Sequence, residues 1–299
     1  NDGLNKAFNQ LIQKLSGSRS QKLLWRIGDA QLNKIEFVSS YSTELIDEQE
    51  FLIVKFNDEA LIPELRKIGI PLIGFNRPVI LILFKIDTGE SAPIFLSSSE
   101  SSDILSAEIK RTFQKIALER GVYLELPEFD LEDQNLLNQT NILFSPSNYI
   151  QEKFYNDAFI AIKLVRVGIN QWSVNGDLQS ISPLQEKQVV KFFQTAVHGF
   201  LDDFLEVKPL ESGASGEQMM VTIQGLENYE DFQAVESELD KIFAIKSRSF
   251  QAFERTKIDY LTQLFQTKAS LMQELRGSTK FLIKEYNPDI NQLKLEYLN

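Results

Sequence analysis

The chain has 299 residues, 43% hydrophobic and 24% charged, and this length suits two or three globular domains. A net charge of −11 repels nucleic-acid phosphates and anionic lipid surfaces, so we expect no nucleic-acid partner. The sequence has no cysteine and one histidine, His198, which excludes thiol nucleophiles, zinc–thiolate centres and multi-histidine metal sites.

Residues 1–77 predict an ααββα amino-terminal domain. Apolar residues recur at three- and four-residue spacing from Leu4 to Leu15, and Ser16-Gly17 marks the end of that helix. The later elements are a short helix around Leu23-Leu24-Trp25, strands at 35–45 and 51–56, and a helix capped by Asn57 that runs to Ile68.

Residues 78–210 predict an α/β sandwich, in which helices cover a sheet. The run Val79–Ile86 is apolar on both faces, which is typical of a central strand covered on both sides. The predicted elements that follow are a helix from 104 to 117 stopped at Gly121, a strand at 122–126, a short helix at 147–154, a hairpin of 158–167 with 171–181, and a helix at 190–204.

The stretch 211–216 is small, polar and unpatterned, and we interpret it as a linker. Beyond it, residues 217–299 predict the order βαββαβ of a ferredoxin-like domain. The elements are strands at 219–223, 245–253 and 257–265, helices at 232–242 and 271–275, and strands near Phe281 and Leu293.

Asn76-Arg77-Pro78 joins the first two predicted domains. Pro78 favours an extended Arg77 and suits the start of a strand. An arginine fork satisfies several oxygen acceptors, so we predict that Arg77 and Asn76 lie at a domain junction. A site for an anionic ligand at the same place is the alternative.

The acidic stretch 125–133 could hold a hard cation, or supply a carboxyl pair such as Asp130 with Glu132 or Asp133 for glycoside hydrolysis. It lacks the glycine that calcium loops use for their turn, so we favour a solvated loop entering a helix. His198 has no serine or acid partner in a recognisable motif. The Gly-x-Ser-x-Gly, Gly-x-Gly-x-x-Gly and P-loop patterns are absent.

Phe250, Phe253 and Tyr260 are aromatic residues of the predicted strand pair in the last domain. An open sheet of this kind has edges and a free face, where aromatic side chains could contact a partner. We favour packing of the three rings in the core under the helices, and a partner face is the alternative.

Three stretches occur in the order seen in one known bacterial family. They are Leu11-Ile12-Gln13-Lys14-Leu15-Ser16-Gly17, the segment from Gly69 to Pro78, and Leu124-Glu125-Leu126-Pro127-Glu128-Phe129-Asp130-Leu131-Glu132-Asp133. Across most of its length the chain resembles the "domain of unknown function 2066" family. The resemblance implies an exported, periplasmic envelope protein of proteobacteria, including gammaproteobacteria, whose signal peptide and first strand lie upstream of Asn1. It carries over no catalytic residue.

The middle domain also looks like the amino-terminal domain of the Tol-system propeller protein, a likeness of architecture only. From these observations we expect a non-enzymatic protein of the periplasm that binds or assembles envelope partners, without a cofactor or metal. The sequence leaves open whether the chain forms a homo-oligomer. The alternative is a periplasmic ligand-binding protein that uses the cleft between its first two domains.

Overall fold

A computed structural model describes residues 2–46, 49–74, 77–99, 103–138, 146–205, 217–265 and 267–298. The chain forms two compact units. One unit combines Asn1–Asn76 with Glu206–Asn299, and the other is Arg77–Leu205. The predicted mixed α and β class is confirmed. The division into domains 1–77, 78–210 and 217–299 stays a prediction, and the linker at 211–216 lies outside the described residues.

The amino-terminal part of the first unit contains helices packed beside one long hairpin. Its elements are α1 (Asp2–Ser16), α2 (Gln21–Asp29), a 3-10 turn (Lys34–Phe37), β1 (Val38–Ile46), β2 (Gln49–Phe56) and α3 (Asp58–Lys67). Asn57 caps α3 by accepting a hydrogen bond from the Ala60 main chain, as its side chain suggested. The first strand begins three residues after the predicted start at residue 35, because Lys34–Phe37 forms the 3-10 turn.

The carboxyl-terminal part of this unit is a sheet covered on one face by two helices. Its elements are β9 (Gln218–Gln224), α8 (Tyr229–Lys241), β10 (Ile245–Glu254), β11 (Lys257–Leu264), α9 (Lys268–Arg276), β12 (Phe281–Asn287) and β13 (Gln292–Tyr297). The strand order is β10-β11-β9-β13-β12, with β13 parallel to β9 and the other neighbours antiparallel. The sheet therefore has one strand more than the predicted βαββαβ order.

The two parts of the first unit share a core. Phe243, which follows α8, is 5% exposed and packs among apolar side chains of the amino-terminal part. Arg66 of α3 donates a hydrogen bond to the Ile242 carbonyl at 3.1 Å, and its guanidinium lies 4.8 Å from the Phe243 ring centroid. Glu274 of α9 accepts hydrogen bonds from the main-chain N–H groups of Phe243 and Ala244 at 2.9 and 2.8 Å.

The second unit is a six-stranded sheet with helices on both faces. Its elements are β3 (Val79–Asp87), β4 (Ile94–Phe95), α4 (Ile104–Arg120), β5 (Tyr123–Glu125), α5 (Leu131–Asn138), α6 (Pro146–Lys153), β6 (Ala158–Gly168), β7 (Gln171–Gly176), β8 (Leu184–Gln185) and α7 (Glu186–Leu205). The order is β4-β3-β6-β7-β8, and β5 also pairs with β3.

The central strand β3 explains this layering. Ile82 and Phe84 point toward α4 and α7, where the rings of Phe84 and Phe193 lie 5.1 Å apart. Leu81 and Leu83 point the other way, into a smaller cluster with Leu137 of α5 and Ile150 of α6. The apolar run therefore fills both faces, as predicted for a strand covered on both sides. The predicted strand 171–181 is shorter than expected, because β7 ends at Gly176.

Candidate partner-binding groove

The helix-covered face of the five-stranded sheet has an apolar groove between the edge strand β10 and the helix α8. The rings of Tyr229, Phe232, Phe250 and Phe253 line it, together with Leu226 and Arg255. We call this the β10–α8 groove. It has a volume of about 500 Å³, within the roughly 300–1,000 Å³ that is usual for binding pockets.

A β-bulge brings the two phenylalanines of β10 to the same side of the sheet. Phe250 lies opposite Tyr260 and Phe253 lies opposite Ile258, while Gln251 between them has no partner on β11. Tyr260 and Ile258 are buried alternate residues of β11, so they share the face that α8 covers. Phe250 and Phe253 would lie on opposite faces of a regular strand, because they are three residues apart.

Ion pairs join the strand β10 to the helix α8 next to the residues that line the groove. Arg248 of β10 donates to Glu236 at 3.2 Å through Nε and to Asp240 at 2.6 Å through Nη1. Tyr260 also donates its hydroxyl hydrogen to Glu236. Burial, reinforced by the hydrogen bond to Glu236, raises the pKa of Tyr260 far above its ordinary value. The phenol is therefore neutral and remains a hydrogen-bond donor.

Three of the aromatic side chains that line the groove are exposed to solvent. Phe250 and Phe253 are 58% and 52% exposed, and Tyr229 is 69% exposed. The rings of Tyr229 and Phe232 are stacked, with centroids 5.9 Å apart. Exposed apolar side chains that occur singly are ordinary, but four adjacent rings around a cavity mark a surface suited to contact with another molecule.

A capping box positions the helix wall of the groove. The Asn228 side chain accepts a hydrogen bond from the Asp231 N–H at 2.9 Å, and the Asp231 carboxylate accepts hydrogen bonds from the main chains of Asn228 and Glu227 at 3.2 and 2.7 Å. This reciprocal pair fixes where α8 begins. Tyr229 and Phe232, the first and fourth residues of the helix, consequently face β10.

Two of the three aromatic residues named as a possible partner face lie in this groove. Phe250 and Phe253 are exposed there, whereas Tyr260 is 2% exposed and packs in the core, which is the interpretation favoured from the sequence. Tyr260 belongs to the inner strand β11, and α8 covers it. Tyr229, Phe232 and Arg255 were not predicted; the Asn228-x-x-Asp231 capping pattern was the signal that could have located the first two.

The predicted junction residues are described only in part. Asn76 lies outside the described residues. Arg77 is half-buried and is followed by Pro78, whose carbonyl accepts a hydrogen bond from the Tyr123 main chain at 2.9 Å. The chain then enters β3 at Val79, as the proline indicated. The roles given to Arg77 and Asn76 stay predictions.

The acidic stretch forms a helix cap and a salt bridge. Asp130 accepts a hydrogen bond from the Asp133 N–H at 2.8 Å, and the buried Asp133 carboxylate contacts Lys153 Nζ at 2.6 Å. Burial alone would raise the pKa of Asp133, but hydrogen bonds from Lys153, Tyr149 and the Asp130 main chain outweigh it and lower that pKa. Within the described ranges, no group of three or more His, Asp or Glu side chains could hold a metal ion.

The single histidine is buried between two helices of the second unit. His198 of α7 is 4% exposed, and its Nδ1 lies 3.3 Å from Nη1 of Arg120 at the end of α4. Arginine can only donate, so Nδ1 accepts and the hydrogen of a neutral ring is on Nε2. Nε2 lies 3.6 Å from a Glu119 carboxylate oxygen. This arrangement joins α4 to α7.

No protein-family model, no curated protein and no solved structure matches this chain. The resemblance to the domain of unknown function 2066 family therefore stays a prediction. Over the part of the chain that the structure describes, no helix has both the length and the apolar character needed to cross a membrane.

Proposed function

We propose that this chain is a non-enzymatic protein of the bacterial periplasm that binds envelope partners through the β10–α8 groove. The observation that carries the proposal is the exposure of Phe250, Phe253 and Tyr229 around one cavity. Aromatic side chains that present rigid apolar area are enriched at protein interfaces and often dominate their energetics.

The surroundings of the chemically interesting side chains support a binding role. His198 is buried against Arg120, and the Asp133 carboxylate is bound by Lys153. In both places an ionisable side chain is held by an opposite charge or a hydrogen bond within the fold. Such arrangements are typical of structural ion pairs as well as of reactive sites, and neither group lines the groove.

The finer fold assignments belong to the same proposal. We propose that the middle domain is similar to the amino-terminal domain of the Tol-system protein, and that the last domain is a variant of the ferredoxin-like fold. The order β9, α8, β10, β11, α9 supports the second assignment. The hairpin of β12 and β13 then stands where a single strand is expected, with β13 inserted beside β9.

The test uses the full chain as bait on an envelope extract of a bacterium that exports it. Three baits are compared: the wild type, the double variant Phe250→Ser/Phe253→Ser, and Ile290→Ser as the matched control. Ile290 is 64% exposed and follows β12, at the opposite edge of the same sheet. Loss of one defined partner from the double variant alone is the expected result.

Equal retention by all three baits would contradict the role of the groove. Release of the chain from cells by osmotic shock tests its location separately. Retention of the chain in the cytosolic fraction would contradict the periplasmic proposal.

A further inference from the structure

The edge of β10 that faces away from β11 runs along the β10–α8 groove. β10 has one neighbour in the sheet order, and the described residues include no strand on its other side. An edge of this kind presents main-chain N–H and C=O groups to an incoming chain. An extended peptide can use both these groups and the aromatic walls, whereas a lipid tail can use only the walls.

The regular part of this edge is short. Register shifts interrupt the pairing of β10 at Lys246 and again at Gln251, which leaves four consecutive paired residues from 247 to 250. Bulges and charged side chains on edge strands prevent long edge-to-edge pairing. This argues against a second copy of the chain adding its own β10, and it favours a short segment of another protein.

The groove also carries a charge to be complemented. Arg255 occupies the turn between β10 and β11 with a left-handed backbone (φ 53°), and it lines the groove. No ion pair to its guanidinium is found among the described residues, in a chain whose net charge is −11. Glu227, in the loop before α8, also lines the groove, so an acidic group of the partner is favoured only beside Arg255.

These features define one occupant, an inference that rests on the proposed function. We propose that the groove binds a short extended segment of a partner protein, antiparallel to β10, with two apolar side chains at alternate positions and an acidic residue before them. Alternate residues of an added strand point to the same face, where Phe250 and Phe253 receive them. Antiparallel addition places the beginning of the segment beside Arg255, and antiparallel pairs are the commoner kind.

The test selects nine-residue peptides from a randomised display library against the full wild-type chain. We expect enrichment of sequences with an acidic residue followed by two apolar residues at alternate positions. One selected peptide is then synthesised with a fluorophore, and its affinity is measured by anisotropy. Phe250→Ser and Phe253→Ser should each weaken binding about tenfold, while Ile290→Ser should leave it unchanged.

Two further comparisons test the charge and the strand addition. Arg255→Gln should weaken binding of the acidic peptide about two- to fivefold. It should not change the affinity of a peptide in which the acidic residue is replaced by its amide. Methylation of the main-chain nitrogens of the peptide, one at a time, should abolish binding of a strand at the alternate positions whose N–H groups face β10, but at every position it should spare a ligand held only by side chains. Thermal unfolding by circular dichroism confirms that each exposed-residue variant is folded.

The outcomes separate this inference from the proposed function. Enriched peptides without the pattern, binding that tolerates methylation, or saturable binding of sodium dodecanoate in place of peptides would each overturn the inference. Envelope capture that still depends on Phe250 and Phe253 would then leave the proposed function standing. If peptides bind as expected but the wild type and the Phe250→Ser/Phe253→Ser variant capture the same envelope proteins, the inference stands and the proposed function is refuted.

Discussion

Gly74 is buried in the first unit, beside the carboxylate of Glu274. A Cβ atom built on Gly74 would overlap the side chain of Glu274. That carboxylate binds the main-chain N–H groups of Phe243 and Ala244. The glycine is therefore required for close approach rather than for a turn.

We expect Gly74→Ala to lower the free energy of unfolding by about 1–3 kcal/mol. The added methyl group displaces the Glu274 side chain, and the main-chain N–H groups of Phe243 and Ala244 then lose their acceptor. Gly28→Ala is the matched control: no atom lies within 4 Å of a Cβ at Gly28, which is inside α2. Alanine there should stabilise the helix by about 0.5–1 kcal/mol. Urea unfolding followed by circular dichroism measures both, and equal effects would show that Gly74 has no special role.

The contacts of the Asp133 carboxylate predict that the stability of the second unit depends on pH. The lowered pKa of its carboxyl means that the ionised form stabilises the fold above the ordinary aspartate pKa of about 3.9. This stabilisation is lost as the pH falls through the lower folded-state pKa. We expect Asp133→Asn to destabilise the protein at pH 7 by more than the roughly 0.5 kcal/mol usual for surface substitutions, and by less at pH 3.

Fluorescence of Trp172 during urea unfolding measures this difference, because Trp172 is 6% exposed in the second unit whereas Trp25 is 74% exposed in the first. Asp130→Asn is the control, since asparagine caps a helix as well as aspartate does. A difference between wild type and Asp133→Asn that is the same at pH 3 and pH 7 would contradict the ionic role of Asp133.

At the scale of elements, Arg248 connects β10 to α8. Its hydrogen bonds to Glu236 and Asp240 outweigh the burial that would otherwise lower its pKa, and they raise that pKa. The guanidinium fork reaches two carboxylates at once, which a lysine ammonium cannot reproduce in the same geometry.

We expect Arg248→Ala to destabilise the first unit by about 1.5–3 kcal/mol, the range for hydrogen bonds to charged groups, and Arg248→Lys to recover only part of this. Lys246→Ala is the control on the same strand, because Lys246 is exposed. Amide hydrogen exchange of β10 and α8 measures the local effect. Protection that is unchanged in Arg248→Ala would show that β10 and α8 stay packed together without the ion pairs.

The same two elements show how far local patterns can predict a site. The strand pair and the helix before it were predicted correctly, and Phe250 and Phe253 lie in the groove as exposed residues. Their common face depends on the bulge at Gln251, which no period-two pattern contains. The sequence pattern could not separate Tyr260, which packs in the core, from the two exposed phenylalanines, because strand order decides burial and strand order is not a local property.

At the scale of the whole molecule, the first unit is built from two segments that are far apart in the chain. Arg66 and Ile242 are 176 positions apart, yet they share a hydrogen bond. Helices, caps and turns depend on neighbouring residues and could be read from the sequence, including Gly121, which ends α4 with φ 61°. A contact between distant segments leaves no such local signal, so the sequence pattern did not predict the shared core around Phe243.

This shared core predicts that the two segments associate when they are separated. Phe243 is 5% exposed because the amino-terminal segment covers it, and burial of a phenylalanine side chain contributes about 1.5–3 kcal/mol. The isolated fragment 217–299 should therefore be less stable than the same segment in the full chain. Addition of fragment 1–76 should restore protection of the Phe243 amide, which hydrogen exchange can follow.

Phe243→Ser in the 217–299 fragment is the matched control, because it removes the ring that the amino-terminal segment covers and should abolish the association. Sedimentation of the mixed fragments as one species, with that dependence on Phe243, would establish one cooperative unit. Fragments that sediment separately, with 217–299 as stable alone as in the full chain, would instead make the carboxyl-terminal sheet an independent domain. In that case Arg66 would add little, because its hydrogen bond to the Ile242 carbonyl would not be needed to hold the sheet.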